Sequence, residues 1–253
     1  LTRIDYGDLT RTTMDIVNRW AQEAFHLDLN GKYFIKTGTY SSKFDFRNAK
    51  VTDPKEIMEI GEYLLYIHFQ ALQMASPLAR PTIYGVSTTN EWVVREYVED
   101  TENNPCIYEG LPLHTEYRVF VDCDTDEVLG ISPYWEPDTM KKRFSHGADA
   151  DTPKMKHDYV IYKMHEETLM KRYTDGKDKV IEHIKEILPG LDLPGQWSID
   201  IMQNRDDFWI IDMALAENSA FYECVPENLR KPLPEEWLPA IPDIKAEQLS
   251  EKE

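Results

Sequence analysis

Two stretches of this chain each read as strand, polar turn, strand, and both carry ionised side chains inside the apolar run. The first pairs TEYRVFVD (115–122) with residues 127–133 across Asp124-Thr125-Asp126, and the second lies in QWSIDIMQNRDDFWIIDMALAENSAF (196–221), turning near Asn204 to Asp207. Short polar turns between such runs predict hairpins, and hence antiparallel sheet. Alternation sets Glu116, Arg118, Phe120 and Asp122 on one face of the first strand, and Tyr117, Val119 and Val121 on the other. On a solvated face Arg118 would simply pair with Glu116 or Asp122. In the second hairpin Asp200 sits between Ile199 and Ile201, and Asp212 follows Trp209, Ile210 and Ile211. Carboxylates embedded in this way need a cation or hydrogen-bond donors. If position 203 pairs with 209, Asp200 faces Asp212, and a hard cation would turn their repulsion into attraction. A slip of one residue would send them to opposite faces.

The remaining segments mix helix and strand. Residues 11–25 have helical spacing up to the Asn30-Gly31 turn, and a short strand at 33–37 then delivers Lys36 beside Phe34 into a hydroxyl-rich loop, TGTYSSKFDF. Asp53-Pro54-Lys55-Glu56 is an N-cap, a proline at the first helical position and an acid at the third. It opens a long helix buried along Ile57, Ile60, Leu64, Ile67, Ala71 and Ala75, ended by Pro77 and Pro81. A strand at 92–98 carries Arg95, residues 136–152 read as a polar excursion, and helices are expected from Pro153 towards Tyr173 and from Asp178 to Leu188. Beyond about residue 226 prolines and acids accumulate without periodicity, which predicts an extended tail. The expected class is α+β, divided into an N-terminal part and first lobe (1–90), a second lobe (91–225) and a Pro-rich acidic tail (226–253).

Charge and cysteine content narrow the function. The 253 residues carry a formal net charge of -18, which argues against nonspecific nucleic-acid binding, because phosphate contacts need clustered Lys and Arg. Any phosphate site must be a local positive pocket. Cys106, Cys123 and Cys224 form neither a disulfide framework nor a CxxC pattern, as expected in a reducing cytosol. No run approaches the roughly 20 apolar residues of a membrane span, and no signal peptide is evident.

Lys36, at a strand end, could reach phosphate oxygens, although most lysines are simply solvated. Arg95 lies among Trp92, Val93, Val94, Tyr97 and Val98, where a guanidinium needs anionic or carbonyl partners; Glu96 or Glu99 would make a structural pair. Glu217 and Asn218 could add oxygen ligands to the two aspartates, or cap a turn. His165-Glu166-Glu167 lacks the second histidine of HExxH, and no Walker A loop, GxGxxG or nucleophile elbow occurs.

In order, these segments resemble the ATP-grasp superfamily, and within it the clade marked by two arginines and one lysine that includes the cell-division-cycle-123 family of initiation-factor assembly proteins. The resemblance is dispersed over roughly 32–221. It rests on Phe34-Ile35-Lys36 with Ser41-Ser42, Val93-Val94-Arg95-Glu96-Tyr97-Val98, Glu116-Tyr117-Arg118 with Gly130-Ile131-Ser132, and Asp200 with Asp212. Two departures stand out: Pro133-Tyr134-Trp135 replaces the family's Gln-Arg, and Asp212-Met213-Ala214 lacks the asparagine of its Asp-x-Asn metal pair.

The resemblance implies two lobes of mixed or antiparallel sheet with helices, closing on ATP and Mg2+ in the cleft between them. Lys36, Arg95, Ser41 and Ser42 would contact phosphates, Glu96, Tyr97 and Val98 the adenine, and Arg118 the transferred phosphoryl group. Asp200 and Asp212, with Glu217 or Asn218, would hold magnesium. The implied activity is a carboxylate-amine ligase working through an acyl phosphate on a small molecule, peptide or protein acceptor. Its alternatives are an ATP-dependent assembly factor that performs no ligation, with an acidic surface for a basic partner, and a nucleotidyltransferase adenylylated on Lys36.

Overall fold

The computed structural model describes residues 14–75, 91–146 and 152–232. It is an α+β structure built on two antiparallel sheets and a short two-stranded ribbon. The smaller sheet has the order β2-β1-β3, from β1 (Tyr33–Thr37), β2 (Lys50–Val51) and β3 (Trp92–Glu96). The larger has the order β7-β6-β8-β9, from β6 (Thr115–Asp122), β7 (Glu127–Pro133), β8 (Gln196–Asn204) and β9 (Asp207–Leu215). Between them lies the ribbon of β4 (Cys106–Ile107) and β5 (Leu111–Pro112). Strand β3 belongs to the smaller sheet through its ladder with β1, so that sheet extends past the division expected at residue 90.

Helices α1 (Met14–Ala24), α2 (Pro54–Met58) and α3 (Ile60–Ala75) cover the smaller sheet. The Asp53 carboxylate accepts from the Lys55 backbone N–H, and Glu56 completes the expected capping box. The single long helix expected here is broken at Glu59 (φ -100°, ψ 13°) into α2 and α3. The anticipated stripe is nevertheless buried at Ile57, Ile60, Leu64, Ile67 and Ala71, against Ile35 and Trp92. The prolines at 77 and 81, and most of the expected tail, lie outside the described residues.

The excursion at 136–152 contains a helix, α4 (Pro137–His146). The Glu136 carboxylate accepts from the N–H groups of Asp138 (3.0 Å) and Thr139 (2.6 Å), and Met140 and Phe144, one turn apart, bury into a cluster with Trp135, Tyr162 and Leu169. The two helices expected beyond Pro153 are one, α5 (Pro153–Ile187), capped by Thr152. It runs unbroken through Gly176 because tertiary packing outweighs glycine's poor helix propensity. A Cβ at Gly176 would lie 2.2 Å from the Tyr117 hydroxyl, so a larger residue there would have to displace the ring tip from its bonds to the Arg172 carbonyl and Gln203. Val180, Ile184 and Leu188 then close over Tyr117, Val119, Val121, Ile199 and Ile201. Among the described residues no helix is long and apolar enough to cross a membrane.

Candidate functional site

With one face of the larger sheet under α5, the alternate residues of β6 and β8 face the smaller sheet. The cleft between the sheets has a volume of about 820 Å³, counting the space open to solvent at its mouth. Of the residues singled out from the sequence, Lys36, Ser41, Arg95, Glu96, Tyr97, Val98, Asp200 and Asp212 line it.

The smaller sheet contributes cations. Phe34 and Arg95 are direct cross-strand partners, so the guanidinium lies over the Phe34 ring, 4.7 Å from its centroid. Arg95 Nη1 donates to the Ile211 carbonyl across the cleft at 3.1 Å, and its Nε is buried without a partner. Burial lowers the Arg95 pKa, with Asp212 and Glu116 pulling the other way. Lys36, two residues along β1 from Phe34, places Nζ 2.8 Å from Asp212 Oδ1.

The larger sheet contributes acids, and a bulge sets their register. From Asn204 to Ile201 the pairing is one residue away from the expected one, with Gln203 opposite Phe208 rather than Trp209. An extra residue in β9, Ile211, then shifts the ladder so that Asp200 does face Asp212. Without it Asp212 would pair with Ile199 and point towards α5. The extra residue is also the one whose carbonyl receives Arg95. Asp200 itself is gripped by a fork from Arg118, Nε to Oδ1 and Nη2 to Oδ2, both at 2.7 Å. Arg118 also lies 4.9 Å from the Tyr134 ring centroid, and its partner is Asp200 rather than the Glu116 or Asp122 that a solvated face would have offered.

Four expected residues are not part of the lining: Arg118, which is turned into its pair with Asp200, and three that lie away from the cleft. Ser42 is a left-handed position (φ 48°) whose buried hydroxyl donates to Gln70 Oε1 at 2.7 Å, tying the loop to α3 instead of facing a phosphate. Glu217 and Asn218 sit exposed on a 3-10 turn (Ala216–Asn218) and are not part of the lining. Asp200 and Asp212 are therefore the paired carboxylates the cleft offers to a cation. The Tyr97 N–H is bonded to the Lys32 carbonyl (2.9 Å), so it is not a donor that a base in the cleft would meet.

Residues that the sequence reading left out of the site also converge here. Lys43 places Nζ 4.4 Å from the Tyr134 ring centroid, and burial pushes its pKa down to about 8 despite Glu116 and Asp200 nearby. Burial raises Glu116 to about 7, opposed by the charge on Lys43. Lys43 follows the hydroxyls of the loop directly, and Glu116 shares the Arg118 face of β6, so both were visible as members of a pattern. Their convergence depends on the distant pairing of the two sheets. His114 lines the cleft as well.

No family model matches the chain, and no curated protein sequence does. Among solved structures, a C-terminally truncated Cdc123 from Schizosaccharomyces pombe superposes with a TM-score of 0.40 at 13% identity, over 87% of this chain and 75% of that one. A likeness of that degree assigns neither fold family nor activity.

Proposed function

We propose that this cleft binds a nucleoside triphosphate together with a divalent cation, in the manner of an ATP-grasp protein. One observation carries the reading: Lys36 and Arg95 from one sheet meet Asp212 and the Ile211 carbonyl from the other, on either side of the cleft. Three cations, Lys36, Lys43 and Arg95, line the cleft with three acids, Glu116, Asp200 and Asp212, and Arg118 pairs with Asp200 within the larger sheet. Arg95 is the cation whose hydrogen bond across the cleft goes to a carbonyl rather than a carboxylate. It is therefore the readiest to take a phosphate oxygen.

The donor set suits such a ligand. A hard cation on Asp200 and Asp212 would take over the charge that Lys36 and Arg118 now neutralise, releasing the Lys36 ammonium to a phosphate. Tyr97, Leu111, Pro112 and Met202 line the cleft with apolar surface suited to a flat base. The bound metal would bridge and neutralise phosphate oxygens. Arg118, whose Nε and Nη2 hold Asp200 and whose Nη1 donates to the Ala220 carbonyl at 3.4 Å, would orient that metal ligand and would meet developing negative charge, as a carboxylate-amine ligase requires, only by exchanging the Ala220 bond.

A second reading is favoured by the acids themselves. With Ala214 where a third ligand would stand, and with Glu217 and Asn218 outside the lining, the cleft suits binding of nucleotide without ligation, as in an ATP-dependent assembly factor. Calorimetric titration with Mg-ATP tests the shared premise. Binding should be stoichiometric and weakened at least about tenfold by Lys36→Ala and by Asp212→Ala, the scale of a lost charge-assisted hydrogen bond. No binding, or variants that bind like the parent, would refute it. ADP release that depends on an added carboxylate and amine would establish the ligase, and binding without turnover across a broad panel of such pairs the assembly role.

A further inference from the structure

A second cluster, built without the nucleotide-site acids, lies where the segment 99–105 crosses from the smaller sheet to the ribbon. This segment is pinned to the end of the β8–β9 hairpin. Asn204 Oδ1 accepts from Thr101 N (3.1 Å) and Thr101 Oγ1 (2.8 Å), Asn204 Nδ2 donates to the Glu99 carbonyl (2.8 Å), and Arg205 donates twice to the Thr101 carbonyl (3.1 and 2.7 Å). On its inner side Asp100 and Glu102 meet His114, with one candidate ligand atom from each lying within 4.8 Å of the others.

The decisive feature is His114. It is only 3% exposed, and its Nδ1 is buried with no hydrogen-bond partner, 3.7 Å from Asp100 Oδ1. The ring is hydrogen-bonded to the Gln203 backbone. Because Nδ1 makes no hydrogen bond, that bond belongs to the Nε2–H, which leaves the Nδ1 lone pair aimed at two carboxylates. A metal-ligating histidine is oriented in the same way, its second nitrogen fixed by a backbone carbonyl.

We propose that Asp100, Glu102 and His114 bind a divalent transition-metal ion, with zinc the best match. One imidazole nitrogen and two carboxylate oxygens suit zinc, whereas magnesium prefers all-oxygen shells. Asp100 Oδ1 already accepts from Glu102 N (3.1 Å) and Asn104 Nδ2 (2.9 Å), and Oδ2 from Asn104 N (2.7 Å), so the free lone pair is on Oδ2 and the Oδ1 that faces His114 would bind only by giving up one of its two hydrogen bonds. The contacts of Glu102 to Arg172 Nη1 and Asn104 Nδ2, both 3.4 Å, are long enough to be exchanged for a metal bond. Ligand atoms around tetrahedral zinc stand roughly 3.4 Å apart, so the cluster closes by about an ångström on loading. With three protein ligands the fourth position falls to water, and the ion would tie the crossing segment to His114, and so to a wall of the cleft.

The test uses the full chain, stripped with a chelator and titrated with Zn2+ in the absence of nucleotide, so that it is independent of ATP binding. One equivalent should bind and raise the Tm. His114→Gln and Asp100→Asn should each weaken binding tenfold or more, whereas Asp212→Ala removes only weaker binding in the cleft. Because the first two variants could disturb folding, Co2+ added to the unmutated protein provides a second readout: the His114 ring signals in the NMR spectrum should broaden and shift before those of the other histidines. Three results would overturn the proposal: no stoichiometric binding, binding indifferent to His114→Gln, or His114 signals that titrate with pH but ignore Co2+, as in a plain histidine–aspartate proton pair.

Discussion

The two faces of the larger sheet come from the same strands, residue by residue in alternation, yet they obey different rules. Towards α5, Tyr117, Val119, Val121, Ile199 and Ile201 form a dry apolar layer. Towards the smaller sheet, Glu116, Asp200 and Met202 line the cleft as a wall of charge and sulfur, with Arg118 paired to Asp200 on the same face. The apolar layer gains stability from burial alone and needs only volume and shape. The cleft wall stays buried only because each charge is answered: Arg118 by Asp200, and Glu116 by Lys43. Stability and ligand binding should therefore respond separately to changes one residue apart, and the neighbours Ile199 and Asp200 are the sharpest place to look.

The largest effect on folding should come from the apolar face. Ile199 is fully buried beneath α5, and Ile199→Ala should cost about 2–5 kcal/mol, seen as a lower urea midpoint with an unchanged slope. The fraction still folded should bind Mg-ATP as the parent does. A loss of affinity comparable to that of Asp212→Ala would mean that the two faces are coupled and that the division above is wrong.

Alternation made this division legible in the sequence. It set Glu116, Arg118 and Phe120 against Tyr117, Val119 and Val121, and it placed Asp200 opposite Asp212. That second result holds for a reason the sequence hides. The uniform register that pairs 203 with 209 does not occur; Gln203 meets Phe208, and the extra residue Ile211 restores the alignment three residues later, at Asp200. Nothing in Trp209-Ile210-Ile211 marks which apolar residue is surplus, and the partner that uses the bulge, Arg95, lies 116 residues away. Ser42 was hidden in a similar way: its left-handed backbone sends it to the opposite side from Ser41, against the expectation for one hydroxyl-rich loop. In 136–152 charged neighbours masked the one-turn spacing of Met140 and Phe144.

A smaller effect, confined to the cleft face, should appear as a pH dependence. Glu116 is raised from 4.5 to about 7 in the folded chain, so between those values the native state holds a proton that the unfolded chain has released. Its contribution to stability is complete below about pH 4.5 and is lost as pH rises through about 7. Lys43, lowered from 10.5 to about 8, acts on the other limb: its contribution is present above about 10.5 and lost as pH falls through about 8. Glu116→Gln should therefore flatten the decline in urea midpoint between pH 5 and 7 and, by removing the carboxylate that supports the Lys43 charge, move the alkaline limb to lower pH. An unaltered acid limb would show that Glu116 ionises at its ordinary pH and that the cleft wall is wetter than its packing implies.

The smallest effect on folding should be that of Lys36→Met. The Lys36–Asp212 pair bridges the two sheets at 2.8 Å, but the Asp212 side chain is 49% exposed and water screens the attraction. An ion pair of this kind contributes at most about 1 kcal/mol, so the urea midpoint should barely move. Ligand binding should change in two opposite directions. Mg-ATP loses a phosphate contact and weakens, while Mg2+ alone, no longer competing with an ammonium for Asp212, should bind more tightly than it does to the parent. Calorimetry with each ligand separates the two. That pair of opposed shifts distinguishes a lysine that holds a metal ligand until nucleotide arrives from one that merely joins two sheets, because a purely structural pair would lower stability and leave both affinities where they were.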